Sequence, residues 1–278
     1  MLKGVNQWCF PEGTPLDSVL AVSKEAGYDA IELNLHESAH AVGLHKDMTA
    51  AQAEAVGEQV RSRGLQLRSL SCGLFGSMPL SSPDESVREN GRKLIEKQIE
   101  LAALLGIRSV LVIPGFVNND VSYEQCYTRS LEELKRIVPL AERRQVLVGI
   151  ENVGNRFLLS PLEMIRYIDA LDSPQVGSYF DVGNVLPFGG IPQMWIRLLR
   201  HRIFNVHVKD FRLRVGNANG LVPLLAGDVD WKMVREALVE VGYDDTVTAE
   251  ISPYAQDPYQ AVYDSARHIA VILGGAAR

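Results

Sequence analysis

The sequence predicts an α/β protein built as a single (β/α)8 TIM barrel spanning residues 1–278, and three observations lead there. The length of 278 residues lies close to the roughly 250 usual for such a barrel. Short apolar runs alternate with longer helical patterns along the whole chain, as in a parallel sheet wrapped by crossover helices. Glycines recur where helices should end and the chain turns back into a strand.

Eight candidate strands follow in order: Gly4 to Trp8, Asp29 to Leu35, Gln66 to Ser71, Ser109 to Ile113, Val146 to Glu151, Val176 to Asp181, Ile203 to Lys209 and Thr246 to Ile251. The clearest helix covers Pro83 to Leu105, where Leu94, Ile95, Ile99, Leu101, Ala102 and Leu105 recur at helical spacing. Gly106 stops it, and Gly27, Gly64 and Gly242 close the first, second and seventh helices in the same left-handed manner. An open, doubly wound sheet would place a glycine-rich phosphate turn after the first strand; the chain has Trp8-Cys9-Phe10-Pro11 instead. The closed barrel is therefore favoured.

Composition narrows the function. Hydrophobic residues make up 46% of the chain, enough for a sizeable core, and no low-complexity stretch marks a linker or disordered arm. The net charge of −6, from 28 basic and 34 acidic residues, disfavours a protein that grips phosphate backbones, so no nucleic-acid partner is expected. Cys9, Cys72 and Cys126 are odd in number and far apart, which suggests neither disulfides nor a thiolate zinc site. The amino-terminal residues reach polar side chains too early for a signal segment, and the most apolar stretch, Leu101 to Val117, is broken by Gly106, Arg108 and Pro114. A cytoplasmic protein without membrane association is expected. Asn155 lies in no glycosylation triplet, in keeping with that reading.

In a barrel of this type the chemistry sits at the carboxyl ends of the strands. Alternation points Leu147, Gly149 and Glu151 inward in the fifth strand, and Gly177, Tyr179 and Asp181 inward in the sixth. Asn205, His207 and Lys209 follow in the seventh, and Thr248 and Glu250 in the eighth. Taken singly, a strand-end Glu is ordinarily solvated and a His on an apolar strand is ordinarily a hydrogen-bonded core residue. Together, three carboxylates crowded at one end repel strongly unless a cation lies between them. Glu151, Asp181, His207 and Glu250 are thus a candidate ligand set for one divalent ion, with Mn²⁺, Mg²⁺, Co²⁺ and Zn²⁺ all suited to three oxygens and one imidazole.

The passages Gly149-Ile150-Glu151-Asn152, Tyr179-Phe180-Asp181-Val182-Gly183-Asn184, Asn205-Val206-His207-Val208-Lys209-Asp210, Gly227-Asp228-Val229-Asp230-Trp231 and Thr248-Ala249-Glu250-Ile251, with Gly27 to Leu33, span nearly the whole chain. They resemble the sugar phosphate isomerase/epimerase family of xylose-isomerase-like barrels, which includes ketose 3-epimerases, L-ribulose-5-phosphate 3-epimerase and inosose dehydratase. The resemblance implies that Glu151, Asp181, His207 and Glu250 bind a metal, usually Mn²⁺. It also implies that Glu151 and Glu250 are catalytic and move protons next to a ketose carbonyl. The substrate would be a small sugar or sugar phosphate, and a homo-oligomer is compatible with the family. Lys209 and Arg212 are then candidate partners for a developing oxyanion or a substrate hydroxyl. One departure stands out: several similar ketose epimerases carry a His three residues after the Asp ligand, where this chain has Asn184, an amide that donates a hydrogen bond but takes up no proton at neutral pH.

Glu32 and Asn34 share the inward parity of the second strand and are assigned either to substrate contact or to support of the metal shell. Trp8 is a candidate apolar wall against a sugar face, barrel packing being the alternative. Arg156, after Glu151, either meets a phosphate or decorates the surface. His36, His40 and His45 cluster after the second strand but match no ligand spacing, so a second metal is not expected. The loop Arg214 to Gly220 is a candidate lid. Three rival functions remain at this stage. An apurinic endonuclease of the same fold would need His before Pro114-Gly115 and at position 184, where this chain has Ile113 and Asn184. A metal-dependent lyase or dehydratase acting on a keto sugar or inosose shares the first proton abstraction. A non-enzymatic sugar-binding barrel would not need four intact ligands.

Overall fold

A computed structural model describes residues 1–38 and 42–275. Eight parallel strands close on themselves: β1 (Leu2–Asn6), β2 (Ala30–His36), β4 (Gln66–Cys72), β5 (Ser109–Val112), β6 (Leu147–Glu151), β7 (Val176–Asp181), β8 (Ile203–Val208) and β11 (Thr246–Ala249). The order β1-β11-β8-β7-β6-β5-β4-β2 is completed by pairing of β1 with β2 through Gly4↔Ala30, Val5↔Ile31 and Asn6↔Glu32. The expected (β/α)8 TIM barrel is the fold.

Between the strands run α1 (Leu16–Glu25), α2 (Ala50–Ser62), α3 (Glu85–Leu105), α4 (Tyr123–Arg144), α5 (Pro161–Asp169), α6 (Pro192–Leu199), α7 (Trp231–Glu240) and α8 (Gln260–Ile272). Their starts are set locally. Thr49 with Gln52 and Ser122 with Gln125 form capping boxes that satisfy orphan N–H groups of α2 and α4. At the other end of α3, Gly106 adopts φ 69°, a conformation costly for other residues, and Gly27, Gly64 and Gly242 are likewise at positive φ. One continuous apolar core lies between the sheet and the helices. The three cysteines are buried and unpaired, and burial pushes the Cys9 and Cys72 thiols up to about 12, which leaves them unreactive. Among the described residues no helix is long and apolar enough to cross a membrane.

Several strands end earlier than the sequence suggests, and the shortening places the site residues. Asn6 accepts a hydrogen bond from Trp8 N at 2.7 Å, so the chain leaves the first strand and Trp8 stands on a 3-10 turn, Gln7–Cys9. The eighth barrel strand stops at Ala249, leaving Glu250 as the first residue beyond it. Three short strands were not anticipated: β3 (Leu44–His45), added beside β2, and β9 (Asp210–Phe211) with β10 (Leu221–Val222), an antiparallel pair standing on the seventh barrel loop.

Candidate metal centre and active site

The barrel interior below the site is polar. Glu32, 1% exposed, accepts from Asn6 Nδ2 at 2.5 Å and from the hydroxyls of Ser69 and Tyr179, while Asn205 Oδ1 accepts from Ser109 Oγ at 2.5 Å. Barrel interiors are usually filled by branched aliphatic side chains. Here hydrogen-bonded groups from opposite strands fill the space and fix one another's orientation, because each would carry a desolvation cost if left alone.

On this floor stand the four predicted ligands. Glu151 ends β6, Asp181 ends β7, His207 lies near the end of β8, and Glu250 follows β11; one ligand atom from each falls within 4.8 Å of all the others. Asp181 and His207 are fully buried, and Glu151 is 5% exposed. The backbone holds Asp181 on two sides: its N–H donates to Asn152 Oδ1 at 2.9 Å, its carbonyl accepts from Asn152 Nδ2 at 2.8 Å, and its Oδ1 accepts from Asn184 N at 2.9 Å. That leaves Asp181 Oδ2 turned toward the centre.

The centre is assembled for a cation. Lys209 Nζ approaches Asp181 Oδ2 at 2.9 Å and Glu250 Oε2 at 3.0 Å, and His207 Nδ1 lies 2.8 Å from Glu250 Oε2 and 3.5 Å from Glu151 Oε1. Yet Asp181 Oδ2, His207 Nδ1 and Glu250 Oε2 are buried without a hydrogen bond of acceptable direction. Burial would lower the His207 imidazole, but Glu32 and Glu250 raise it well above its usual value, so the cluster draws positive charge to the place where its carboxylates converge. Three carboxylic groups converge on the one ammonium of Lys209, a donor set complementary to a further cation. The residues therefore fit a single divalent cation of the kind that takes oxygen and imidazole ligands.

The same crowding separates the two glutamates. Burial lifts Glu151 to about 7, with Glu250 adding to the rise against His207 and Lys209. Burial acts on Glu250 as well, but Lys209 and then His207 outweigh it and hold its carboxyl well below the usual range.

The remaining candidates divide. Trp8, 37% exposed, lines a cavity of about 460 Å³ together with Lys209 and Glu250, so these three share one space. Glu32 lies beneath the ligands with Oε1 2.6 Å from His207 Nε2, rather than on the cavity surface. Asn184 donates from Nδ2 to Asn152 O at 3.1 Å, behind Asp181. Arg212 does not line the cavity; its guanidinium donates to Ala226 O. Arg156 is exposed at φ 60° in the loop after Glu151. His36 and His45 lie side by side on β2 and β3, while His40 is outside the described residues. The segment 214–220 is exposed except at Gly220 and joins β9 to β10, whose Leu221 and Val222, with Pro223, form one cavity wall.

Sequence reasoning missed the floor residues Asn6 and Ser69, the Asn152 brace, and Asp210. The last is fully buried and accepts from Phe211 N, Gly227 N, Val229 N and Trp231 Nε1 at 2.8, 3.1, 3.3 and 3.0 Å. Inward parity on β1 and β4 was a usable signal for Asn6 and Ser69; Asp210 and its partners Gly227, Val229 and Trp231 stand in the passages that carry the family resemblance, but strand parity gives them no role because the partners come from a loop.

Comparison with known proteins agrees with this fold. The L-ribulose-5-phosphate 3-epimerase UlaE of Salmonella heidelberg (strain SL476) is 29% identical over 244 residues, 86% of this chain and 83% of that protein. A solved structure of L-ribulose 3-epimerase matches with a TM-score of 0.81 at 19% identity, covering 98% of this chain and 94% of that one. The IOLI protein, crystallised with a bound zinc atom, matches with a TM-score of 0.75 at 17% identity over 98% of both chains. The family model described as xylose isomerase-like TIM barrel matches residues 20–270, and the chain belongs to that family.

Proposed function

We propose that this chain is a divalent-metal-dependent sugar epimerase or isomerase that moves a proton next to the carbonyl of a ketose. The observation that carries the reading is the convergence of Glu151, Asp181, His207 and Glu250 at the mouth of the barrel, three of them with an orphaned buried atom turned inward. The naming of UlaE as an L-ribulose-5-phosphate 3-epimerase supports the reaction class, and the zinc atom of the IOLI protein, which shares the fold, supports a divalent ion. Mn²⁺ is the ion proposed, with Mg²⁺, Co²⁺ and Zn²⁺ as alternatives. We take the chain as one domain over residues 1–278, working in the cytoplasm on a small sugar and not on nucleic acid.

When bound, the ion supplies Lewis-acid stabilisation to the oxyanion that develops as the C–H bond breaks. The chain does the rest. Glu151 and Glu250 come from barrel strands separated by β7 and β8, so their carboxylates reach a substrate from different directions. One accepts the proton beside the carbonyl and the other returns a proton, which inverts the carbon when the two act on opposite faces. Lys209, in the cavity wall, is placed to donate to a substrate oxygen. Trp8 offers an apolar face on which a sugar ring or chain packs and from which water is excluded.

The test is incubation of the purified protein with Mn²⁺ in D₂O and a panel of ketoses, ketose phosphates and inososes. Deuterium entry at the carbon beside the carbonyl, without net elimination, is expected; elimination would point to a dehydratase, and no exchange across the panel would defeat the assignment.

A further inference from the structure

We propose that the substrate is an uncharged keto sugar and not a sugar phosphate; the inference rests on the epimerase reading above and specifies its substrate class. In (β/α)8 barrels that bind phosphate, the group frequently sits at the loops after the seventh and eighth strands, held by backbone N–H groups at a helix N-terminus. In this chain those two loops wall the cavity beside the ligand cluster, with Leu221, Val222 and Pro223 from one and Ile251, Pro253 and Tyr254 from the other. The wall is chiefly aliphatic and aromatic, and the two prolines have no N–H to give.

Among the described residues, the lining of that cavity offers little positive charge. Lys209 is the one Lys or Arg among the described residues that line the cavity, and it lies between Asp181 and Glu250 at 2.9 and 3.0 Å, where it offsets only part of their charge. The N–H groups that converge in the seventh loop, those of Gly227 and Val229 with the Trp231 indole, point at the buried Asp210 carboxylate and cannot also cradle an anion. Arg212 is turned to Ala226 O. Arg156 lines neither this cavity nor the neighbouring one of about 510 Å³ that shares Trp8. That second cavity has Glu12 and His36 in its lining and no Lys or Arg among the described residues, and burial pulls the His36 imidazole down, toward the neutral form.

A phosphate dianion bound against this wall would lose its hydration with no lining cation other than the engaged Lys209 to replace it, an arrangement that raises its free energy. A polyhydroxylated chain has no such difficulty. Its C–H faces pack on Trp8 and the aliphatic wall, and its hydroxyls find neutral partners such as Ser252.

Matched pairs decide the matter: L-ribulose against L-ribulose 5-phosphate, and D-fructose against D-fructose 6-phosphate, assayed with the Mn²⁺-loaded wild-type protein by solvent deuterium exchange and by epimer formation. The expected result is a kcat/KM for the free ketose about tenfold or more above that of its ester, a factor equivalent to ~1.4 kcal/mol. Preference for the esters, with exchange proceeding, overturns this inference and leaves the epimerase reading standing. Exchange with neither member of any pair overturns both.

Discussion

His207 Nε2 lies 2.6 Å from Glu32 Oε1, while the opposite ring nitrogen, Nδ1, faces Glu250 and Glu151. The imidazole is thus held from below by a carboxylate and presents its other nitrogen to the centre. Burial would raise the Glu32 carboxyl, but His207, Ser69 and Tyr179 together bring it below the usual range, so it stays ionised and keeps the proton on Nε2. A carboxylate behind a ligating histidine fixes both tautomer and ring angle and makes the imidazole a stronger donor.

Glu32→Gln should therefore weaken divalent-metal binding about 10- to 100-fold although Glu32 would never touch the ion. Titration calorimetry with Mn²⁺ on the variant and the parent reads this directly. An unchanged Kd would mean that the packing of β8 alone orients His207.

Glu151→Gln keeps the shape of the side chain and an oxygen able to coordinate, but removes the group that takes or gives a proton. Solvent deuterium exchange should fall by roughly 10²- to 10⁴-fold, the usual worth of a positioned general acid or base. The protein should still be stabilised by Mn²⁺ in a thermal melt. Exchange near the parental rate would remove Glu151 from proton transfer and leave Glu250 to account for the chemistry.

Much of this site was legible in the sequence, and the physical reason is the two-residue period of a strand. Once β6, β7, β8 and the last strand are located, parity alone sends Glu151, Asp181, His207 and Glu250 to the same side, and their meeting follows from closure of the barrel. Contacts across the barrel axis carry no such period. Tyr179 reaches Glu32 over 147 positions of chain, and nothing local distinguishes a glutamate that will face substrate from one that will sit beneath a histidine. The loop wall of Leu221 to Pro223 was equally hidden, since β9 and β10 are two residues each and too short for any pattern. Strand ends were read too long at Trp8 and Ile251 because apolar and inward-facing residues continue past the last ladder hydrogen bond.

Chelation should destabilise as well as inactivate. With Mn²⁺ at about 100 times its Kd, binding to the folded state alone contributes ~2.7 kcal/mol, and removal of the ion restores the mutual repulsion of three carboxylates. EDTA should abolish exchange and lower Tm by several degrees, and excess Mn²⁺ should reverse both. A melt insensitive to EDTA and to added Mn²⁺ would argue that these residues hold no ion.

At the opposite end of the barrel, Asp245 accepts from Arg68 Nε and Nη2 at 3.2 and 2.8 Å and pairs with Arg108, tying the start of β11 to strands on the far side. Burial would raise this carboxyl, but Arg68, the Thr246 N–H and Arg108 hold it below the usual range. A carboxyl depressed on folding contributes stability in full above its unfolded value, about 3.9, and loses it as pH falls through the lower folded value. Asp245→Asn should cost ~1–3 kcal/mol at pH 7, discounted for the partial exposure of both arginines. The loss relative to the parent should shrink below about pH 4. Exchange per folded molecule should not change, since the pair is remote from the ligands; a variant equal in stability at pH 7 would show the ion pair to be neutral in balance.

Gly227 separates loop position from metal binding. Its N–H donates to Asp210 Oδ2, and a Cβ built there would collide with the same carboxylate, which is fully buried and has no room to retreat. Gly227→Ala must therefore push the loop off the Asp210 anchor, and with it the wall formed by Leu221, Val222 and Pro223. None of the four ligands lies on that loop, so Mn²⁺ affinity should stay within about twofold of the parent, well under the ~1.4 kcal/mol of a tenfold change. A substrate held against a displaced wall loses its alignment with Glu151 and Glu250, and a misplacement of about 1 Å can cost on the order of 10² in rate. The expected signature is a kcat/KM reduced at least tenfold with metal binding intact, measured by exchange kinetics and calorimetry on the same preparation. Parental kinetics would show that the cavity wall does not take its position from Asp210, whereas joint loss of metal and activity would mean that the strain has travelled into the strand ends.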